Sequence, residues 1–368
     1  MNARRGLLFP SQAIRRGIER RGQHMMRTDP LTRFRALAES TVIKPKTLIT
    51  GSLGQLGRGL GTMLRFMYGE ESVVMTDIVK CDPNAPDVVN YSFLDVTNER
   101  AIEEAVVNNN IDTLVHFSAL LSAVGEQNVP LAIEVNANAS NKILEVARKH
   151  RLKVFIPSTI GAFGPTTPLE MTPDLTIQRP RTIYGVTKVY NELLGEYYAE
   201  RFGVDFRCLR FPGIISATKP GGGTTDYAIQ IFYDAILHGH HKCYLEPNTR
   251  LPMMYDTDCM AAIVFFLAAQ QEQLSMRTYN VTGFSFTPDE IATAIRKVMP
   301  DFKITYENIC PIRQKIANSW PKALADENAR RDWGWHNDFD LDSTVQIMFA
   351  LLESQIRPAE QTIAHQSA

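Results

Sequence analysis

The chain has 368 residues, with 39 lysines and arginines against 40 aspartates and glutamates, and 44% of its residues are hydrophobic. This composition supports a large buried core and excludes an intrinsically disordered or fibrous protein. The formal net charge of −1 argues against a nucleic-acid-binding protein. The charge is nevertheless uneven, because residues 1–28 carry seven arginines and one acid, which leaves a net charge of −7 on the rest.

The basic N-terminal segment has the composition of an amphipathic organellar presequence. Its arginines alternate with apolar residues, and it lacks the continuous apolar stretch of a secretory signal. We predict a targeting presequence and disordered lead over 1–40; a basic tail without a targeting function is the alternative. The five cysteines are scattered and never form a C-x-x-C pair, which favours a reducing compartment such as the mitochondrial matrix. The longest later apolar run, 260–269, is too short to cross a bilayer, so no membrane association is expected.

From residue 46 onwards, short apolar runs alternate with helical stretches. Strands are predicted at 47–50, 72–76, 88–91, 113–117, 153–157 and 205–211, and helices near 55–68, 98–109, 128–150 and 182–202. This alternation predicts an α/β fold with a Rossmann-type, doubly wound parallel sheet. After residue 211 the alternation ends, and helices are predicted near 226–238, 256–271 and 287–299. We therefore expect a Rossmann domain over 45–212, a smaller substrate-binding lobe over 213–350 with some segments returning to the sheet, and a loose tail at 354–368.

A glycine-rich turn, Gly51-x-x-Gly54-x-x-Gly57, joins the first strand to the first helix. Glycines at this spacing permit a tight turn and a close approach of the backbone to a pyrophosphate, which the helix N-terminus also attracts. A purely structural glycine turn is the alternative. Asp77 ends the second strand, where a carboxylate can bind the adenosine ribose and would repel a 2′-phosphate, so the predicted cofactor is NAD rather than NADP.

Further cofactor contacts are expected where the third and fourth strands end. Asp95 can meet the adenine amino group, and the small residues after His116 leave room beside the cofactor. His116 itself is interpreted as a packed histidine rather than a base. The predicted NAD-binding set is Gly51, Gly54, Gln55, Leu56, Gly57, Asp77, Ile78, Asp95, Val96, Phe117, Ser118, Ala119, Tyr184, Lys188 and Ile214.

Tyr184 and Lys188 lie four residues apart at the start of a predicted helix, so they share one face. A tyrosine that acts as a base near pH 7–8 needs its pKa lowered by two to three units, about 3–4 kcal/mol. A nearby ammonium in a partly desolvated cleft, with the positive nicotinamide ring close by, can supply that stabilisation. We predict Tyr184 as the base, Lys188 as the group that lowers its pKa, and Thr159 as the residue that holds the reacting oxygen. Chance occurrence of Y-x-x-x-K is the alternative.

These residues together resemble, in order and spacing, the extended short-chain dehydrogenase/reductases over about residues 45–345. The motif positions are Gly51-x-x-Gly54-x-x-Gly57, Asp77, Asp95, His116-x-Ser118-Ala119, Asn136, Ser158-Thr159, Tyr184-x-x-x-Lys188 and Pro212-Gly213. In that family the asparagine at position 136 orders a water linked to the lysine, so the resemblance implies a catalytic set of Tyr184, Lys188, Thr159 and Asn136.

One branch of that family is more similar. The segments FPGIIS and PGGGTTDYAIQIF resemble the short-chain L-threonine 3-dehydrogenases. The resemblance implies NAD-dependent oxidation of the β-hydroxyl of L-threonine to 2-amino-3-oxobutanoate, threonine catabolism in mitochondria, and coupling to a CoA ligase that consumes the product. A nucleotide-sugar epimerase or dehydratase is the first alternative, disfavoured by the few cations in 212–250. A non-catalytic NAD sensor is the second, and it would not need Tyr184, Lys188 and Thr159 together.

An amino-acid substrate needs donors for its carboxylate, which backbone N–H groups and hydroxyls of the glycine-rich turn at Gly223 can give. Trp320 resembles a tryptophan that closes over the substrate in the family; core packing is the alternative. The predicted substrate-binding set is Ser122, Ser158, Thr159, Tyr184, Gly223, Thr224, Thr225 and Trp320. The histidine cluster at 238–241 is interpreted as a surface turn, so no metal is expected. The sequence leaves a monomer and a homodimer open.

Overall fold

The computed structural model describes residues 31–81 and 88–366, without the side chains of residues 122, 123 and 357–366. The strands are β1 Thr47–Thr50, β2 Val73–Asp77, β3 Tyr91–Phe93, β4 Thr113–His116, β5 Lys153–Phe155, β6 Ser158–Thr159, β7 Asp205–Phe211, β8 Gly213–Ile215, β9 His240–Lys242, β10 Leu251–Tyr255, β11 Thr278–Asn280, β12 Phe284–Phe286 and β13 Lys303–Thr305. The helices are α1 Thr32–Ser40, α2 Gln55–Tyr68, α3 Glu99–Asn108, α4 Ser122–Gln127, α5 Val129–Ile133, α6 Ala139–His150, α7 Ile183–Phe202, α8 Tyr227–His238, α9 Asp256–Ala268, α10 Pro288–Arg296, α11 Pro311–Ala317, α12 Glu327–Trp333 and α13 Leu341–Gln366.

The main sheet has eight parallel strands in the order β11-β7-β5-β4-β1-β2-β3, with β6 paired to β7. Strand β1 pairs with β2 on one side and β4 on the other, so the strand order reverses there. In open α/β sheets, ligands bind at the carboxyl edge of the strands beside such a reversal. The predicted doubly wound, Rossmann-type parallel sheet is confirmed.

Alternating side chains of the central strands fill the cores on the two faces of the sheet. In β1, Leu48 lies in one core, with helices α3, α6 and α7, and Ile49 lies in the other, with α2 and α9. A third core joins β10 and β12 to α8, α10 and α13 in the second half of the chain. Strand β11, also from the second half, pairs with β7 at the edge of the main sheet.

Most predicted elements are found with ends shifted by one to three residues, and two differ for a reason that the structure shows. The predicted strand at 88–91 begins only at Tyr91, because Asn90 takes a left-handed backbone (φ 54°) and binds the Val73 carbonyl through Nδ2 (2.9 Å). The single helix predicted over 128–150 is interrupted by a π-helical turn, Glu134–Asn138. Such turns often occur at functional sites, and this one contains Asn136.

Helix α1 corrects the expectation that residues 1–40 form a presequence and disordered lead. Leu31 and Phe34 are 4% and 0% exposed, and the Phe34 ring lies 5.6 Å from the ring of Phe265 on α9. The Arg33 guanidinium lies 4.8 Å from the same Phe265 ring and bonds to His336 Nε2 (2.6 Å). The folded body therefore begins by residue 31; residues 1–30 lie outside the described part of the chain.

The C-terminal segment is also more ordered than predicted. Helix α13 runs from Leu341 to Gln366, and Val345, Met348 and Leu352 on it are buried in the third core. The expected loose tail at 354–368 is therefore wrong as far as Gln366, because the helix that begins in the core continues through it. No helix within 31–81 or 88–366 is long and apolar enough to span a membrane.

Candidate active site

The glycine turn after β1 packs against the backbone that follows β4. Gly51 has a positive φ of 65°, and a Cβ there would lie 2.6 Å from the Ser118 nitrogen. A Cβ on Gly57 would lie 2.5 Å from the Ser52 Cα, so α2 packs on the end of β1 only because this residue is glycine. Gly54 precedes the 14-residue helix α2, which begins without a side-chain cap. An uncapped helix N-terminus at the carboxyl edge fits the pyrophosphate of a dinucleotide.

The carboxylate of Asp77 lies beside this turn. Its Oδ2 accepts from the Leu53 nitrogen (3.1 Å) and its Oδ1 from the Ile78 nitrogen (2.8 Å), which fixes the side chain at the end of β2. Ile78 is 61% exposed next to it. The residues present therefore fit a dinucleotide: a backbone turn for the phosphates and a carboxylate for the ribose.

The remaining residues predicted to contact NAD lie at the ends of β3, β4 and β8. Asp95 Oδ1 accepts from the Thr97 nitrogen (2.9 Å), and Val96 is buried. The Phe117 ring packs on Phe155, and Ile214 lies in β8, against the core that contains α2. Gln55 differs in that its Nε2 donates to Ser216 Oγ (2.6 Å), so this side chain links the first helix to the second half of the chain.

The predicted catalytic residues are brought together by helix α7 and strand β6. Lys188 is 5% exposed, its Nζ lies 5.5 Å from the centre of the Tyr184 ring, and it donates to the Pro157 carbonyl (2.8 Å). Tyr184 hydrogen-bonds to Thr159, whose Oγ1 accepts from the Gly161 nitrogen (3.1 Å). The Tyr184 phenol, the Lys188 ammonium and the Thr159 hydroxyl therefore lie close together at the carboxyl edge of the main sheet.

Burial governs the protonation states of this pair in the protein alone. Burial raises the pKa of Tyr184 to about 12, whereas the hydrogen bond with Thr159 acts to lower it. Burial lowers the pKa of Lys188 to about 8. In the protein alone, desolvation of the phenolate therefore dominates. The expected lowering of the tyrosine pKa by Lys188 together with the nicotinamide ring concerns the complex with NAD and stays a prediction. At neutral pH the chain holds Tyr184 as the phenol beside a lysine that still carries its proton.

Asn136 and His116 are both buried next to this cluster. Asn136 Oδ1 accepts from the Leu120 nitrogen (2.7 Å), and its backbone oxygen accepts from Asn191 Nδ2 on α7 (2.8 Å), so Asn136 fastens the loop after β4 to the catalytic helix. His116 Nδ1 bonds to Thr50 Oγ1 (2.8 Å), and burial together with the Lys188 charge lowers its pKa to about 3. A neutral, packed His116 agrees with its interpretation as a structural histidine.

The glycine-rich turn before α8 does not offer the donors that the sequence predicts. The Gly222 and Gly223 nitrogens both donate to Asp226 Oδ2, at 2.6 and 2.8 Å. The predicted role of the Gly223 N–H as a free donor for a substrate carboxylate is thus corrected, because a carboxylate of the chain itself occupies it. Thr224 and Thr225 follow in a single 3₁₀ turn, Thr224 being 5% exposed.

The other predicted substrate residues are dispersed. The Ser158 hydroxyl donates to Glu192, a buried carboxylate, which corrects its predicted orientation toward the substrate. Ser122 begins α4, and its side chain lies outside the described atoms. Trp320 is partly buried between the third core and a small cluster that contains Ile160, the residue after Thr159. Its position shows core packing, and its predicted closure over the substrate stays a prediction.

The buried ion pair of Glu192 and Arg210 is a feature of the site that the sequence motifs do not predict. Arg210 donates to both carboxylate oxygens, from Nε (3.0 Å) and Nη2 (2.8 Å), and the side chains are 5% and 1% exposed. The available signal was an arginine between Leu209 and Phe211 in the buried strand DFRCLRF, together with an acid eight residues after Tyr184. Charges in a buried strand require a partner.

The histidine cluster is not a surface turn throughout. His241 lies in β9, is 1% exposed and bonds through Nδ1 to Asp234 Oδ2 (2.6 Å). Within residues 31–81 and 88–366, no three histidine, cysteine, aspartate or glutamate side chains come together as a metal site would require. His241 is therefore part of the packing between α8 and β9.

Known proteins resemble this chain over most of its length. The profile of the NAD dependent epimerase/dehydratase family matches residues 47–282. The protein named L-threonine 3-dehydrogenase, mitochondrial, from Bos taurus is 52% identical over 328 residues, which are 89% of this chain and 88% of the relative. The crystal structure of L-threonine dehydrogenase from Phytophthora infestans is 47% identical, with a TM-score of 0.81 over 84% of this chain and all of that one. The X-ray structure of the enzyme from Clostridium difficile is 42% identical, with a TM-score of 0.82 over 85% and 98%.

Proposed function

This chain belongs to the NAD-dependent epimerase/dehydratase family, and we propose that it oxidises L-threonine at its β-hydroxyl, with NAD, to 2-amino-3-oxobutanoate. One observation carries the proposal: Tyr184, Lys188 and Thr159 meet beside an uncapped helix N-terminus in a chain whose relatives are named threonine dehydrogenases. An alcohol oxidation needs a group that accepts the hydroxyl proton, a group that orients the oxygen and a hydride acceptor.

The chain's own residues provide the first two of these. Thr159 Oγ1, held by the Gly161 N–H, orients the substrate hydroxyl, and Tyr184 accepts its proton as the C–O bond becomes a carbonyl. Lys188, fixed by the Pro157 carbonyl, places a positive charge next to the tyrosine ring, which favours the phenolate over the phenol. NAD, when bound, supplies the hydride acceptor.

We assign the cofactor to the turn between β1 and α2. The backbone of Gly51, Gly54 and Gly57 with the start of α2 would hold the pyrophosphate, and Asp77 would hold the adenosine ribose. Asp95 and Val96 would lie beside the adenine. A carboxylate at position 77 disfavours a 2′-phosphate, so NAD is the expected cofactor.

The test is to mix purified protein with NAD and, separately, L-threonine, L-serine and UDP-sugars, and to follow the absorbance of reduced cofactor. We expect NADH formation that depends on L-threonine. Turnover of a UDP-sugar without threonine-dependent NADH would identify an epimerase or dehydratase instead. Binding of NAD without any turnover would identify a sensor.

We also propose a mitochondrial location, in the matrix, with the product passed to a CoA ligase. Relatives of this chain are named mitochondrial, and the arginine-rich residues 1–28 have the composition of a presequence. Import of the full chain into isolated mitochondria, followed by protease protection after removal of the outer membrane, tests the matrix assignment. Full protease sensitivity at that stage would place the protein outside the matrix.

A second copy of the chain is the partner that we propose for the exposed face of α7. Val186, Leu193 and Tyr197 are 49%, 60% and 54% exposed there, and Leu131 and Ile133 on the adjacent α5 are 45% and 41% exposed. Large contiguous apolar patches of this kind mark interfaces. Light scattering should give twice the chain mass, and Leu193→Glu should give a monomer, whereas Leu237→Glu, at a comparably exposed leucine on α8, should leave the dimer intact. A monomeric wild-type protein would contradict the assignment.

A further inference from the structure

A buried carboxylate lies two turns beyond Tyr184 on the catalytic helix. Glu192 follows Lys188 by four residues, so both project from the same side of α7, and Glu192 is 1% exposed. Its Oε1 accepts from Ser158 and from Arg210 Nε (3.0 Å); its Oε2 accepts from Arg210 Nη2 (2.8 Å) and Gln178 Nε2 (2.8 Å). Every acceptor position of this carboxylate has a donor, which is what a buried charge requires.

Two contacts fasten α7 to the strand segment that carries Thr159. Lys188 donates to the carbonyl of Pro157, and Ser158 donates to Glu192. These are the two residues immediately before Thr159. The position of the Thr159 hydroxyl relative to Tyr184 is therefore set by contacts that the neighbouring residues make with the tyrosine's own helix.

The Glu192 carboxylate is also connected, through Arg210, to the segment that carries Trp320. Arg210 Nη1 donates to the Asp174 carbonyl (2.7 Å) and to Asn280 Oδ1 (3.3 Å), and Asn280 Nδ2 donates to the Thr172 carbonyl (3.0 Å). Thr172 in turn pairs with Leu324, four residues after Trp320. One buried network thus joins the catalytic helix, the strand of Thr159 and the segment that carries Trp320.

We propose that Ser158 and Glu192 are positioning residues, whose hydrogen bond holds the Thr159 hydroxyl at the place where the substrate oxygen must lie for proton transfer to Tyr184. The proposal rests on the proposed dehydrogenase function, because it concerns the same reacting atoms. Misplacement of such a group by about 1 Å can cost a hundredfold in rate. Neither residue touches the substrate, so their effect is on turnover rather than on binding.

The first test is Ser158→Ala, which removes one donor but leaves Glu192 paired with Arg210 and Gln178. We expect kcat to fall roughly ten- to a hundredfold, while KM for L-threonine and Kd for NAD stay within about threefold. Ser72→Ala is the matched control, since Ser72 is also buried and donates to the Gly69 carbonyl (2.6 Å) in the turn that follows α2. It should leave kcat unchanged. A raised KM with unchanged kcat in Ser158→Ala would place the hydroxyl on the substrate and overturn the proposal.

Two more variants separate positioning from simple structural support. Ser158→Thr keeps the hydroxyl and should retain most of kcat, and the double variant Ser158→Ala/Glu192→Gln should lose less than the product of the single losses, because the two residues act through one bond. Multiplicative losses would overturn the proposal. The two proposals fail separately: absence of threonine-dependent NADH formation in the wild type refutes the function, whereas an active wild type with a fully active Ser158→Ala refutes the positioning role.

Discussion

Two glycine-rich turns of this molecule, at 51–57 and 221–223, differ in how many of their backbone N–H groups the chain itself occupies. The first leads into a helix that begins without a side-chain cap. In the second, the Gly222 and Gly223 nitrogens bind the carboxylate of Asp226. In the first turn the Leu53 nitrogen also donates to a carboxylate of the chain, Asp77 Oδ2 (3.1 Å), but the start of α2 has no side-chain cap and can meet an external anion. The second turn is closed by Asp226.

The difference shows that glycines alone do not predict an anion site. What decides is whether an acceptor lies within the next few residues, as Asp226 does three residues after Gly223. In the coenzyme half, the part of the chain around the 51–57 turn, backbone N–H groups would bind the cofactor phosphates, so a local glycine pattern is sufficient to predict the site. The acceptor that closes the second turn is also local, whereas Glu192, the partner of the predicted substrate residue Ser158, lies 34 residues away.

The largest expected effect lies where the two halves meet. Tyr184→Phe removes the group that accepts the substrate proton, and loss of a general base reduces kcat by about 10²–10⁴-fold. The coenzyme half is untouched, so NAD affinity, measured by fluorescence titration, should stay the same. Retained turnover would contradict the assignment of Tyr184.

The next effect tests whether the first turn depends on its backbone. Gly57→Ala places a Cβ 2.5 Å from the Ser52 backbone, so the turn must shift; we expect a loss of about 1–3 kcal/mol in unfolding free energy and at least tenfold weaker NAD binding. Gly61→Ala, one turn later on α2, meets only the flexible end of Met75 at 3.3 Å and serves as the control. Equal NAD affinity in both variants would show that the turn does not hold the cofactor.

A crossed pair of variants tests whether the two halves are separable. Asp77→Ala should reduce the preference for NAD over NADP about tenfold or more, because the repulsion of the 2′-phosphate is lost, with little change in KM for threonine. Asp226→Ala should raise that KM several-fold, because the second turn loses both hydrogen bonds that shape it, without any change in coenzyme preference. Steady-state kinetics with NAD and with NADP measure both the coenzyme preference and the KM for threonine. If both variants change the same one of these two quantities, the two turns do not act separately.

The smallest effect concerns acid stability in the coenzyme half. The pKa of His116 is about 3 in the folded chain against 6.5 normally, so the folded state binds fewer protons below pH 6.5 and stability falls as pH falls from 6.5 toward 3. His116→Asn should abolish this part of the loss, roughly 2 kcal/mol between pH 6.5 and 5. Urea unfolding at both pH values measures it. His238→Asn, at an exposed histidine, should unfold as the wild type does.

Local patterns predicted the elements whose structure is decided locally. The glycine turn, the Tyr184–Lys188 pair and most strands were found from the sequence because short-range spacing determines them. Ser158 and Gly223, predicted to bind the substrate, both have hydrogen-bond partners within the chain. Glu192, the partner of Ser158, is visible only once the chain is folded, whereas Asp226, three residues after Gly223, is a local signal. The raised pKa of Tyr184 in the protein alone likewise follows from burial, which is a property of the tertiary structure.

Helix α1 and the end of α13 were missed because composition dominated the prediction. The basic residues before position 30 suggested that the lead extended to residue 40, although Leu31 and Phe34 are apolar residues at helical spacing. The polar end of α13 was treated as a tail, although the buried residues at 345, 348 and 352 continue one helical stripe toward it. In both places a single apolar stripe was the better signal.

The buried ring of Phe34 sets a limit on proteolytic maturation. A protease that trims a leader from this chain has to cut before Leu31, because a cut after Ser40 would remove Phe34 from its place against α2 and α9 and leave a cavity that costs about 3–5 kcal/mol. Helix α2 begins at the glycine turn, so an over-trimmed enzyme would lose cofactor affinity along with stability. The position of the cut therefore affects cofactor affinity, although Leu31 lies 20 residues before Gly51, the first glycine of the turn.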